Sequence, residues 1–242
     1  MTTPLNHHAI ILDTETHALH GYPIEVAYLA VDINTNGLQR NDDIYDELFS
    51  LDADTQINLA SMAVHHILPE DLTGKPNFRE FKLPSETIYI IGHNIDYDIQ
   101  AISRCQESTS HLKPICTLAL ARSIWPHLES HALSSLSYFI SQDWQHTRQI
   151  LRNAHQASTD VLLTADLLDA ILRHYREHEK TGITSIEQLY QVAKLARLPK
   201  FMPFGKHKGT PLKEVPIDYV DWLLGQENLD PNLREALEFI YC

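Results

Sequence analysis

The sequence predicts an α/β fold: a mixed five-stranded sheet flanked by helices, followed by a small C-terminal domain. Apolar runs of strand length come first and then alternate with segments of helical periodicity. Two of these runs, at residues 10–12 and 88–91, are apolar throughout, which is typical of strands buried on both faces. A polar stretch near residue 180 then separates the main part of the chain from a short lysine-rich end.

Three strands come before the alternation begins and should form an antiparallel meander. They are residues 10–12, 24–33 and 44–51, with a turn predicted at residues 34–41. A fourth strand at residues 87–92 and a short fifth at residues 114–117 are each followed directly by a helix. Three strands and then strand–helix alternation indicate a mixed sheet covered by helices.

Helices are predicted where apolar residues recur every three or four positions. They are residues 57–64, a helix capped by Asn94, residues 118–125, 132–141, 158–175 and 185–198, and two short helices around Trp222 and Leu237. Residues 1–178 are therefore one domain, 179–184 a linker, and 185–242 a small basic domain.

Composition excludes several classes of protein. The 242 residues are 43% hydrophobic and 21% charged, which is ordinary for a soluble globular chain, and no apolar run is long enough to cross a bilayer. Cys105, Cys116 and Cys242 stand in no metal-ligand pattern, so a reduced, cytoplasmic protein without membrane association is expected. A net charge of -13 argues against a protein that coats nucleic acid with its whole surface.

Two acids end the first strand, in the order Asp13, Thr14, Glu15, Thr16. Because side chains alternate along a strand, Asp13 and Glu15 should project from the same face. Two such carboxylates repel each other unless a cation lies between them. An isolated pair of this kind is more often the start of a solvated acidic loop, so its meaning depends on the other motifs.

Two more motifs stand at predicted strand–helix and loop–helix boundaries. Asp98 falls in the first turns of the helix after the fourth strand, while His155 lies in a loop and Asp160 at the next helix start. Taken alone, an acid at a helix N-terminus is usually a favourable partner of the helix dipole, and a loop histidine needs no function. The order and spacing of all three motifs together are more specific than any one of them.

From about residue 6 to residue 178, the three motifs resemble the DEDDh exonuclease superfamily, the ribonuclease H-like fold of polymerase proofreading subunits. The resemblance implies four metal ligands: Asp13, Glu15, Asp98 and Asp160. It implies two Mg2+ ions, with Mn2+ as a substitute, which activate the attacking water and stabilise the departing 3'-oxygen. It also makes His155 the general base, a role suited to a neutral imidazole.

The same resemblance implies substrate contacts on the first two motifs and on a short loop. They are Thr14, Thr16, His17, His65 and Asn94. Four positions depart from the pattern: His17 replaces a small residue, Tyr97 a phenylalanine and His66 a frequent glycine, while Asp96 is an additional acid predicted at the surface. None of these changes removes a metal ligand, so they bear on the choice of substrate rather than on hydrolysis.

The lysine-rich segment at residues 204–212 allows two interpretations. It is no P-loop, because His207 follows Lys206 where serine or threonine is needed. In the first, it is a turn whose conformation is fixed by glycines and whose lysines are solvated. In the second, it is a small nucleic-acid-binding module whose lysines contact phosphates. Together with residues 219–224, it resembles the C-terminal domain of bacterial exodeoxyribonuclease X-type enzymes, the closest resemblance within the superfamily, which implies DNA contacts by Lys206 and Lys208.

The function implied is a metal-dependent 3'–5' exodeoxyribonuclease that acts in DNA repair and releases nucleoside 5'-monophosphates. Three alternatives stay open: an exoribonuclease with the same site, a non-catalytic nucleic-acid-binding accessory protein, and a structural protein whose acids only stabilise helix ends. Nucleic acid is the expected partner, with DNA favoured over RNA. Docking on a replication or repair complex and the oligomeric state are left open.

Overall fold

The structure is a computed structural model that describes residues 5–105, 108–178 and 182–241. Residues 179–181 of the predicted linker and the outer ends of both predicted domains lie outside these ranges. The strands are β1 (Ala9–Thr16), β2 (Pro23–Asn34), β3 (Gly37–Arg40), β4 (Tyr45–Leu48), β5 (Tyr89–Gly92) and β6 (Lys113–Cys116). The α-helices are α1 (Leu59–His65), α2 (Asp96–Ser103), α3 (Thr117–Ile124), α4 (Leu133–Ile140), α5 (Trp144–Ile150), α6 (Ala157–His178), α7 (Ile186–Arg197), α8 (Ile217–Leu224) and α9 (Pro231–Tyr241).

The sheet has the order β3-β2-β1-β5-β6, and β4 pairs with the first half of β2. Strand β1 lies in its centre, antiparallel to β2 and parallel to β5. The predicted mixed sheet flanked by helices is therefore present, with six strands rather than five in the part of the chain that is described.

The additional strand, β3, forms inside the segment predicted as a turn. Asn34 pairs with Gly37 and Val31 with Arg40, so only residues 35 and 36 make the turn of a tight hairpin. The prediction of a turn across residues 34–41 is wrong. A short strand with polar residues at an exposed sheet edge lacks the apolar pattern by which strands are predicted from sequence.

A second correction concerns the start of α2. Asn94 does not cap this helix: its backbone is left-handed, with φ of 71°, and Ile95 is the residue before the first turn at Asp96. The chain therefore makes a sharp bend after β5 before the helix that carries Asp98 begins.

Strand β1 is buried on both faces. Ala9 and Ile11 belong to a core formed with helices α3, α4, α6 and α7, whereas Ile10 and Leu12 belong to a second core on the other face with α2. Such two-sided burial explains the continuous apolar run that begins the strand. It also fixes the end of β1 rigidly, which is where the acids lie.

Helix α7 packs on the sheet domain, and a separate small core follows it. Ile186, Leu189 and Ala193 of α7 join the core that contains α6. The later core extends from Met202 to Leu237 and draws on α8 and α9. No helix of the described ranges is long and apolar enough to cross a membrane.

Candidate active site

The acids of the first two motifs meet at the carboxyl end of β1. Asp13 and Glu15 are half-buried there, and Asp98 comes from α2, which follows the parallel neighbour strand β5. Carboxyl ends of neighbouring parallel strands lie at the same edge of a sheet, which is why motifs far apart in sequence converge. Asp98 is only 4% exposed, and one of its oxygens accepts two hydrogen bonds from Thr14.

The third motif completes the cluster from the start of α6. Glu15, His155 and Asp160 each offer a ligand atom, and these atoms all lie within 4.8 Å of one another. His155 is exposed and has a left-handed backbone, with φ of 66°, in the loop just before the helix. The structure therefore brings the five residues predicted as the active site to one place.

Crowding of carboxylates perturbs their protonation strongly. Burial, and then repulsion from neighbouring acids beginning with Asp98, raises the pKa of Asp13 well above its ordinary value. Burial, followed by repulsion from Asp160, raises the pKa of Glu15 to about 9. Without a cation, Glu15 would therefore hold a proton at neutral pH.

The other two acids respond to the same forces with different partners. Burial raises the pKa of Asp98 to about 7, although the hydrogen bonds from Thr14 oppose the shift. Burial also raises the pKa of Asp160, and the nearby His155 lowers it in part. A divalent cation would remove the repulsion that all four carboxylates share, and their oxygens are the ligand type that Mg2+ prefers.

Glu25 is a fifth acid at the site that the sequence argument missed. It lies on β2 directly opposite Glu15 and is 7% exposed. Its carboxylate accepts a hydrogen bond from the backbone N–H of Ala157, at 3.1 Å. Burial raises the pKa of Glu25 to about 7, against this hydrogen bond. The signal was present in the sequence as an acid at the start of the long apolar and aromatic run of this strand.

A cleft of about 340 Å³ opens beside Glu15. Its lining includes Thr16, His65 and Tyr97, together with Leu19 and Val64. Leu19 is 77% exposed, so its apolar side chain faces solvent at this cleft. A cleft of this size lies at the lower end of the range of ligand pockets, about 300–1,000 Å³.

The predicted contact residues occupy different positions around this cleft. Thr14 is buried behind the acids, where its hydroxyl donates to Asp98. The Thr16 hydroxyl donates to the Ala18 carbonyl and also contacts the Tyr97 hydroxyl, and Tyr97 lies in the first turn of α2. The pairing of β1 with β2 shifts register between Glu15 and Thr16, the two residues of β1 that line the cleft.

His65 and His17 are held by backbone groups. The Nδ1 atom of His65 accepts the Ile67 N–H at 2.9 Å, so a neutral ring carries its proton on Nε2. Burial lowers the pKa of His65, which favours that neutral form. The Nδ1 atom of His17 accepts the Tyr22 N–H at 2.9 Å, and the two rings stack. His17 thereby stabilises the loop that follows β1.

Lys206 and Lys208 lie on the small C-terminal unit and do not line the cleft. The Lys206 ammonium is 4.9 Å from the centre of the Tyr219 ring, which in turn stacks on Trp222. Trp222 is 55% exposed. The segment therefore combines exposed cations with an exposed aromatic surface.

Proteins with similar sequences and solved structures with similar folds include exonucleases. The chain is 24% identical over 234 residues to exodeoxyribonuclease 10 of Escherichia coli K12. The aligned region covers 94% of this chain and 96% of that protein. The resemblance predicted from the motifs is confirmed. Residues 188–242 also match a family described as putative quorum-sensing-regulated virulence factor.

Solved structures support the same fold. The structure of exonuclease X in complex with 5' overhanging duplex DNA matches with a TM-score of 0.56 and 24% identity, covering 76% of this chain and 99% of that one. Escherichia coli exonuclease I in complex with a dT13 oligonucleotide matches with a TM-score of 0.54 and 17% identity, covering 69% of this chain and 41% of that one. The ribonuclease H-like fold class is therefore confirmed.

Proposed function

We propose that the protein is a metal-dependent 3'–5' exodeoxyribonuclease that releases nucleoside 5'-monophosphates from DNA ends and acts in DNA repair. The observation that carries this proposal is the convergence of four carboxylates and His155 at the end of β1. The similarity to exodeoxyribonuclease 10 along nearly the whole chain supports the choice of DNA.

The donor set fits hard divalent cations. Its oxygen ligands are Asp13, Glu15, Asp98 and Asp160, whose raised pKa values reflect burial and uncompensated repulsion. Two Mg2+ ions, for which Mn2+ is a substitute, would lower the pKa of the attacking water and stabilise the departing 3'-oxygen when bound. Repulsion between the buried carboxylates destabilises the fold when no cation is bound, which argues against a purely structural role for the acids.

His155 is the proposed general base. Its exposed imidazole lies beside Glu15 and Asp160, and the backbone at His155 itself is left-handed. A neutral imidazole there takes the proton of the attacking water, and the proton then passes to solvent because the ring is exposed.

The cleft beside Glu15 is the proposed site of the 3'-terminal nucleotide. Thr16 and His65 line it, and the exposed side chain of Leu19 offers an apolar contact for a base. His17 and Asn94, on the loops that follow β1 and β5, are further proposed contacts to this nucleotide. Lys206 and Lys208 are proposed to hold phosphates farther along the strand, beside the exposed aromatic surface of Trp222.

The cytoplasm is the proposed compartment, because the three cysteines stand in no disulfide or metal-ligand pattern. DNA is the proposed partner, as it is in the solved complexes of the similar exonucleases. Neither proposal requires a second protein.

The test uses 5'-labelled DNA and RNA single strands of equal sequence, with free or blocked 3' ends, in the presence of Mg2+. We expect a ladder of 3'-shortened DNA that disappears with blocked ends, with chelator or in the Asp13→Asn protein. A faster ladder on RNA would move the substrate assignment to the exoribonuclease alternative. Tight binding of either strand without any cleavage would support the non-catalytic alternative instead.

A further inference from the structure

Glu25 is a buried carboxylate that the proposed chemistry does not use. It lies on β2 in register with Glu15 on β1, and only 7% of the residue is exposed. Residues directly opposite each other on antiparallel strands have Cβ atoms about 4.5–5.5 Å apart. A carboxylate is costly to bury unless a donor satisfies it, so the identity of that donor indicates what the side chain does.

The donor belongs to a distant part of the chain. Oε2 of Glu25 accepts the backbone N–H of Ala157, the first residue of α6, at 3.1 Å. The first N–H groups of a helix have no partner within the helix and are usually satisfied by the residue just before it. Here the acceptor comes from the sheet, so the hydrogen bond ties the start of α6 to β2.

Two residues of the proposed site depend on where α6 starts. His155 lies two positions before Ala157, and Asp160 lies three positions after it. Both meet Glu15, which is the cross-strand neighbour of Glu25. We infer that Glu25 is a positioning residue that fixes the start of α6 against the sheet, so that His155 and Asp160 meet Glu15.

Glu25 positions α6 through the length of its side chain and its acceptor oxygen, and its negative charge has no part in this role. The cluster already holds four acids, and Glu25 adds to the repulsion felt by Glu15. Glutamine has the same length and keeps a carbonyl acceptor, whereas aspartate keeps the charge and is one methylene shorter. The two substitutions therefore distinguish the effect of side-chain length from the effect of negative charge.

The experiment compares Glu25→Gln and Glu25→Asp with the natural protein, and it rests on the proposed nuclease function. We expect Glu25→Gln to keep kcat, and Glu25→Asp to lose about 10–100-fold in kcat with KM for single-stranded DNA unchanged, the loss typical of removing a partner that orients a metal ligand. Mn2+ affinity, measured by calorimetry without DNA, should fall in Glu25→Asp alone. Thermal unfolding curves verify that each variant is folded at the assay temperature.

The opposite order, with Glu25→Asp active and Glu25→Gln inactive, would overturn the inference in favour of a role for the charge. Equal activity and Mn2+ affinity in all three proteins would leave Glu25 without a positioning role. Should Glu25→Asp not fold, hydrogen exchange of the natural protein decides, because fast exchange of the Ala157 amide would contradict the tie. A natural protein that neither binds Mn2+ nor cuts DNA would refute the proposed function itself, a result distinct from these.

Discussion

Thr14 donates both its backbone N–H and its hydroxyl to the same oxygen of Asp98, at 3.0 and 2.8 Å. These bonds join β1 to α2 across 84 positions of sequence and fix the orientation of a buried carboxylate. A hydrogen bond to a charged group contributes about 1.5–3 kcal/mol, so these bonds favour one rotamer of the Asp98 side chain. The other oxygen of Asp98 carries no hydrogen bond from Thr14, which leaves it for a cation.

We therefore expect Thr14→Val to lower kcat by about 10–100-fold, as is typical when a group that orients a metal ligand is removed. The backbone bond remains in this variant, so the fold should persist. Thr14→Ser keeps the hydroxyl and is the matched control. Steady-state cleavage of labelled single-stranded DNA measures both, and a Thr14→Val protein with natural kcat would contradict the role assigned to the hydroxyl.

The acid cluster should make the metal-free protein less stable as pH rises. Burial is the main cause that raises the pKa of Glu15 to about 9 and that of Asp98 to about 7, whereas both groups have a pKa of about 4 in an unfolded chain. Between those limits the folded protein binds more protons than the unfolded protein, so the free energy of unfolding falls with rising pH. Melting curves in chelator should give a higher midpoint at about pH 5.5 than at about pH 8.5.

Mg2+ should reverse this dependence, because it replaces the protons as the partner of the carboxylates. It should raise the melting midpoint strongly at the higher pH and weakly at the lower one. Glu15→Gln, which removes one of the titrating groups, should flatten the dependence in chelator. A midpoint of the chelated natural protein that increased across this pH range would show that the acids are not crowded as described.

Much of the site could be predicted because its residues end buried elements. Asp13 and Glu15 lie at the end of an apolar strand, and Asp98 and Asp160 lie in the first turn of a helix. Their positions can therefore be predicted from where these elements end and begin in the sequence. His66 illustrates how a departure from a pattern is explained by geometry: it ends α1 with a left-handed φ of 60°, a conformation that glycine adopts without strain. The frequent glycine at this position therefore has a backbone reason.

What sequence reasoning missed depends on contacts between distant segments. Glu25 gains its meaning only from strand register with Glu15 and from the N–H of Ala157, and no local pattern encodes either. Helix α5 was missed because it is short and polar, with the exposed Trp144 at its start and a cap from Asp143. Tertiary packing decides the role of Glu25, whereas α5 carries a local signal, the Asp143 cap, that a search for apolar periodicity does not use.

Asp13→Asn should abolish metal-dependent cleavage while the protein stays folded. The substitution removes a charge that lies among four other acids, so in chelator the variant should melt at the same temperature as the natural protein or higher. Its kcat should fall by more than the ~10–100-fold typical of groups that only orient a ligand. Asp96→Asn on the same helix as Asp98 is the matched control, because Asp96 is exposed and pairs with Arg197 at 3.0 Å. Cleavage by Asp13→Asn at the natural rate would remove Asp13 from the set of metal ligands.

Replacing Lys206 and Lys208 by alanine should weaken binding of single-stranded DNA and reduce its dependence on salt. Each lysine that contacts a phosphate contributes about 0.7 to the slope of log affinity against log salt concentration on single strands, so the double variant should lose about 1.4. Lys75→Ala, on the sheet domain and paired with Glu47, is the control for a general loss of positive charge. The slope of each variant is measured by fluorescence anisotropy in the presence of a chelator, which prevents cleavage of the DNA. An unchanged slope in the double variant would assign these lysines to a solvated turn, and the small C-terminal core around Tyr219 would then serve the fold alone.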